Sequence, residues 1–193
     1  MDIFKEAAEK IGEIAVEAVK IELAAQGHKL TGALIDSVTA QVKNTDKGAI
    51  IEGVLLDYGI PVNTGVPASN VPYTINNRGS RRAFNFSNFR RSTGVSKYIA
   101  GLQLFAELRF RVAKKEALSI AFAIANKHKK EGIPTKASKR FSSTGKRTGA
   151  IQAALAKVDP KIQEIIQTVI VAYTNKIVVE AFTKNLPNVK VNR

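Results

Sequence analysis

Apolar residues recur at three- and four-residue steps along the first twenty-five positions, as Phe4, Ala7, Ala8, Ile11, Ala15, Ala18 and Ile21. That spacing predicts an amphipathic helix over 2–26 with these residues on its inner face. Glu6, Glu9, Glu13 and Glu17 fill the opposite side, and Gly27 is a stop signal. Thr31 can cap a short helix ending at Asp36. The pattern then changes period. In "SVTAQVK", Val38, Ala40 and Val42 alternate with polar residues, "NTDKG" supplies turn chemistry, and "AIIEGVLL" follows as a second strand. A hairpin over about 38–56 is expected.

Residues 57–94 carry three prolines, several glycines and many asparagines, so most of this stretch is expected to be irregular. Helical spacing returns at Tyr98, Ile99, Leu102, Phe105 and Leu108, and runs on through Ile120, Ala121 and Ile124. One helix over 96–130 would be about 53 Å long, against a radius of gyration of about 16 Å for a globule of this length. A break is therefore expected near "RFRVAKK" (109–115). Gly132 ends the segment. After a basic loop, Thr148 can cap a helix toward Lys157, and Asp159-Pro160 can start another over 160–185. That last segment is rich in β-branched residues ("TVIVAYTNKIVV"), which leaves a strand within it open.

These elements predict an α+β fold: long amphipathic helices packed on a small antiparallel sheet, with long basic loops. The expected organisation is one domain over 1–193. It comprises the N-terminal helix and hairpin (1–72), a basic loop (73–94), a broken helical segment (95–131), a second basic loop (132–147) and a C-terminal helical segment (148–186).

Charge adds a division that periodicity does not show. The chain carries a net +14. Residues 1–77 hold 6 basic and 10 acidic side chains, 78–149 hold 18 and 3, and 150–193 hold 6 and 3. The excess thus sits in the middle third and favours an acidic partner, nucleic acid or protein. Arg78, Arg81, Arg82, Arg90 and Arg91 interleave with Phe84, Phe86 and Phe89, a pattern that can follow phosphates and stack on bases. Docking of the same loop on an acidic protein surface is the competing reading. Lys136, Lys139, Arg140, Lys146 and Arg147 form the second basic group.

Other chemistries find little in the chain. With no cysteine, disulfides and thiolate metal sites are excluded. "SSTGKRTG" is not a phosphate loop, because Arg140 and Arg147 occupy positions that need Gly and Ser or Thr. Of the two histidines, His28 reads as a loop residue and His128 as a solvated residue among lysines. Neither has a partner at metal-ligand spacing, and no carboxylate pair suggests acid–base chemistry. No catalytic residue and no cofactor is expected. The N-terminus lacks the charge pattern of a secretory signal. "ALSIAFAIA" (117–125) is about half of the roughly 20 residues a membrane span needs, so a soluble protein with no membrane partner is expected.

The order of elements resembles the head–tail connector and tail-completion (neck) proteins of tailed bacteriophages. The matching positions are Lys29, Thr31, Gly32, Leu34, Ser37 and Val38, then Tyr58 with Gly59, and Gly65 with Pro67. "KKEALSIAFAIANKHKKEGIPT" looks like that family's helix with its Gly-Ile-Pro exit. "TGKRTGAI", with Thr148 and Gly149, looks like the start of its last helix. The loop 73–94 and the C-terminal helix are longer than the family pattern. A neck or tail ring protein of a crAss-like phage is the narrower identity suggested. The resemblance implies a non-enzymatic virion protein made in the host bacterial cytoplasm. It would form a homo-oligomeric ring that contacts portal, adaptor or tail proteins around the channel for genomic DNA.

Overall fold

The computed structural model describes residues 3–45, 48–74 and 95–185. The chain is mostly helical with one two-stranded antiparallel sheet, an α+β fold. In chain order the elements are α1 (Ile3–Ala25), α2 (Ala33–Asp36), β1 (Thr39–Thr45), β2 (Gly48–Val54), α3 (Gly59–Thr64), α4 (Lys97–Phe110), α5 (Lys114–Glu131) and α6 (Ala150–Asn185). Short 3-10 turns cover Ala68–Asn70 and Lys136–Phe141. Set against the expectation of one domain, contacts among the described residues gather around two centres. One unit comprises α1 to Glu22, Ser37–Leu55 and α6 from Ile151; the other comprises Leu23–Asp36 and Leu56–Ala150.

In the first unit, α1 packs on the hairpin. Gly12 is buried there, and a Cβ at that position would lie 3.3 Å from Ala40 Cβ, so the missing side chain lets helix and strand approach. The hairpin register pairs Val42 with Ile51 and Gln41 with Glu52, and Lys43 bonds Glu52 at 2.7 Å. The buried stripe of α1 includes Ala8, Val19 and Leu23, whereas Ile21 is 60% exposed. Ala8 lies on the expected stripe, whereas near the C-terminal end of the helix Val19 and Leu23 are buried in place of Ala18 and Ile21. Both Ala18–Ile21 and Val19–Leu23 have helical spacing, and tertiary packing selects the pair that faces a neighbour.

The second unit is built on an α4–α5 hairpin. The break falls at residues 111–113, where Arg111 adopts the left-handed conformation at φ 55° and donates its N–H to Glu107 O at 3.0 Å. Ser96 caps α4: its Oγ accepts from Ile99 N–H at 3.3 Å. Ile99, Ala121, Phe122 and Ala125 form a core between the helices, flanked by Tyr98, Leu102 and Leu118. Alanines at 117, 121 and 125 are wholly buried, and this small-residue stripe lets the helices close together.

Within the stretch expected to be mostly irregular, α3 and the 68–70 turn occupy half of residues 57–74, and Thr64-Gly65 closes α3. Two further expectations are corrected. Residues 150–185 form one helix, with Pro160 inside it, instead of two helices. Pro160 removes one helical hydrogen bond, to the carbonyl of Ala156. Ala156 is exposed, while Ala154, Val158, Ile162 and Ile165 hold the helix on its inner side across the proline. Finally, His128 is not solvated. Its Nδ1 lies 2.7 Å from the Tyr98 hydroxyl, and burial lowers its pKa.

Candidate functional site

Two surfaces concentrate the chain's unusual chemistry, one in each unit. The first is the basic segment 132–149. It begins where α5 ends at Gly132 and pairs with Val66 through a two-residue antiparallel bridge, Val66 N–H to Ile133 O at 2.7 Å and Ile133 N–H to Val66 O at 2.8 Å. Lys129 Nζ donates to the carbonyls of Ser69 and Val71, both at 3.2 Å, and so ties the 68–71 turn to α5.

The other end of the segment latches onto the end of α1. Ser143 donates both its N–H and its hydroxyl to Ala25 O at 2.9 Å, and Arg147 Nη1 donates to Gln26 O at 2.7 Å. The last turn of α1 has no basic residue of its own. Ser143 and Arg147 therefore satisfy its terminal carbonyls, and the guanidinium complements the negative end of the helix dipole. The approach requires Gly27. Its φ is 81°, and a Cβ there would overlap the Phe141 carbonyl and lie 2.5 Å from Arg147 Nη1. Burial lowers the pKa of His28, with the nearby Arg147 charge adding to the effect. Burial, and secondarily Arg109, lowers that of Arg147.

Beyond the latch the surface opens. Phe141 is 45% exposed and carries two guanidiniums: Arg140 Cζ is 4.7 Å and Arg109 Cζ 5.3 Å from its ring centroid. Lys139 and Lys146 are exposed in the same segment, as is Lys136, whose backbone N–H bonds the Glu131 carboxylate at 3.0 Å. Of the predicted basic group, Lys136, Lys139, Arg140 and Lys146 thus remain available, whereas Arg147 is engaged internally. Arg109 and Phe141 were missed. The triplet Lys139-Arg140-Phe141 signals the aromatic contact, but Arg109 reaches the ring from the last turn of α4, thirty-two residues away in sequence. Arg78, Arg81, Arg82, Phe84, Phe86, Phe89, Arg90 and Arg91 lie outside the described residues.

The Thr-Gly pairs resolve into one backbone device. Gly32, Gly65, Gly145 and Gly149 all have φ between 70° and 79°. The glycine is thus the shared requirement, since it turns the chain in the left-handed region. Capping is a variable extra: Thr31 Oγ1 accepts from Ala33 N–H at 3.4 Å, while Thr64 bonds back to Ile60 O at 3.0 Å. Gly149 N–H bonds Asn63 O at 2.7 Å, which joins the Thr148-Gly149 turn to α3. Among the other motif positions, Leu34 and Gly59 are buried, Ser37 is half-buried, and Lys29 and Tyr58 are exposed.

The second surface is α6. A half-buried or buried stripe, Ile151, Ala154, Val158, Ile162, Ile165 and Val169, lies along its first twenty residues. Lys157 bonds the buried Glu22 carboxylate at 2.6 Å, and Tyr173 meets Phe4 edge-on at 4.9 Å between centroids. From Ile170 to Lys184 every residue is exposed. Yet the stretch contains Ile170, Val171, Ile177, Val178, Val179 and Phe182, each between 44% and 67% exposed. Sequence reading noted the β-branched run as a possible strand. Apolar residues at every helical offset were the overlooked sign of a helix without a polar face.

Among the described residues no three His, Asp or Glu side chains come together as a metal site. No known protein family, curated protein or solved structure matches the chain.

Proposed function

We propose that the chain is a structural, non-catalytic subunit of the virion of a tailed bacteriophage. It is a homo-oligomeric connector ring of the neck or tail that joins portal or adaptor proteins to the tail around the DNA channel. The observation that supports this reading best is the apolar surface a single subunit leaves uncovered. α6 contains an 18-residue stretch of mean hydropathy 1.3, none of it buried. A helix that is apolar all round belongs inside a larger assembly. The order of Lys29, Thr31-Gly32, Tyr58-Gly59 and Thr148-Gly149 supplies the phage context.

The exposed Lys136, Lys139, Arg140 and Lys146 then serve as an arm that orients docking on acidic surfaces of neighbouring virion proteins. Peptide mass spectrometry of purified virions tests the reading. The protein is expected in intact particles at many copies per particle, and its absence from them would sink the proposal.

The arginine-flanked Phe141 favours a second reading, direct binding of nucleic acid. On that reading the isolated protein binds duplex DNA with affinity that falls steeply with salt, and Arg109→Ala with Arg140→Ala weakens it about tenfold or more. Absence of binding at 50 mM salt would remove it.

A further inference from the structure

We infer that residues 166–182 of α6 form the self-association element of this protein, and that its occupant is α6 of further copies, packed in a closed ring of parallel helices. Apart from Val179, the bulky exposed apolar residues of this stretch lie in two seams, each stepping by four and three residues. The first is Ile166, Ile170, Tyr173 and Ile177; the second is Val171, Val178 and Phe182, with Asn175 between them. At 3.6 residues per turn the mean directions of the two seams lie about 130–140° apart. One flat partner surface covers one such seam. Two seams on one helix are covered when each copy offers the first to one neighbour and the second to another. That is a head-to-tail interface, and it closes into a ring when the rotation permits.

The chemistry of the element favours a copy of itself over other occupants. Within a chain of net +14, residues 161–184 hold three lysines and two glutamates, so identical segments approach without strong repulsion. An acidic partner finds little there to recognise. The threonines turn inward: the hydroxyls of Thr168, Thr174 and Thr183 bond the carbonyls of Glu164, Ile170 and Val179 at 2.9, 2.8 and 2.8 Å. Their methyl groups therefore extend the apolar surface. The seven residues of the Ile170–Phe182 surface, with Tyr173 among them, are 42–67% exposed. They offer roughly 700 Å² per copy, about 350 Å² to each of two neighbours, so each contact is smaller than the about 800 Å² per partner of a standard interface and the closed ring sums two such contacts per copy.

By length and composition alone the stretch is also long and apolar enough to cross a membrane. Lipid, however, would leave Asn175, Lys176 and Glu180 in its middle without partners. In a helical assembly a single seam asparagine sets register.

This inference deepens the ring reading but fails separately from it. The full-length protein at about 10 µM is weighed in solution by light scattering or native mass spectrometry, alone and as Ile177→Glu (first seam) and Val178→Glu (second seam). Wild type is expected as a discrete multiple of 20.9 kDa. Each variant is expected to be monomeric, with association weakened roughly a hundredfold or more and an unchanged circular dichroism spectrum. A mixture of the two variants is expected to form dimers, since it retains one intact first-to-second-seam contact. A monomeric wild type, variants that still assemble, a mixture that stays monomeric, or uptake of the protein into phosphatidylcholine vesicles would each overturn it. Assembly through the seams by a protein missing from virions would remove the phage role and leave this inference standing. A virion protein that is monomeric in solution would do the reverse.

Discussion

The α4–α5 hairpin and the second half of α6 are both rich in apolar residues, yet they meet opposite fates. In the hairpin, Ala117, Ala121 and Ala125 are wholly buried and let Ile99 and Phe122 close the space between two helices. In α6 beyond Val169, β-branched and aromatic residues surround the helix and stay exposed. A small-residue stripe is complementary to one close neighbour already present in the chain. A helix that is bulky on all sides needs several neighbours, and a single chain does not supply them. Composition alone does not separate the two cases; the distribution of side-chain size around the helix does.

The largest effect that sharpens this contrast is overpacking of the hairpin. Ala121→Leu is expected to cost about 2–3 kcal/mol in urea unfolding, because a wholly buried alanine has no space for three more carbons. Ile177→Glu, a more drastic chemical change, should leave monomer stability within about 0.5 kcal/mol, since Ile177 is 46% exposed.

Next in size is Gly27→Ala, expected to cost about 2 kcal/mol in the same measurement. It combines left-handed strain with a clash at the Arg147 latch. Restoration of stability by an additional Arg147→Ala would show that strain at Gly27 is minor.

A smaller effect is expected on acidification. The folded pKa of His128 lies below its ordinary value of 6.5 because burial disfavours the charged ring. The Tyr98 hydroxyl, its pKa pushed up to about 12 chiefly by burial, stays protonated and shares a hydrogen bond with the neutral ring. The unfolded chain therefore binds the proton more readily. Stability is full above about pH 6.5 and declines as pH falls through the lowered folded value. Burial of His28 acts in the same direction. His128→Asn should reduce this slope between pH 7 and 5; an unchanged slope would contradict the assignment.

The smallest effect is a gain. Arg111→Gly removes a side chain from a left-handed position and should stabilise the hairpin by about 0.5–1 kcal/mol.

Features governed by near neighbours were legible in the sequence. The amphipathic α1 and the hairpin follow from local spacing and turn chemistry, and the interruption before Lys114 follows from the length a single helix over 96–130 would have. Features that depend on distant partners were not. Val19 and Leu23 rather than Ile21 face the interior because of what packs against α1. His128 is half-buried because Tyr98, thirty residues earlier, lies across from it. Arg147 reads as a free charge until the Gln26 carbonyl that accepts its hydrogen bond is placed beside it. Pro160 reads as a helix start, but packing on both sides carries α6 through it. At the candidate site, the basic segment 132–149 was visible as a charge run. Its Phe141 platform, assembled by Arg109 from another element, was not.

The central claim is that this chain assembles through an apolar helix that it cannot bury alone. The solution mass of the intact protein at about 10 µM tests it most directly. A discrete multiple of 20.9 kDa is the predicted result, and a single species at 20.9 kDa would contradict it.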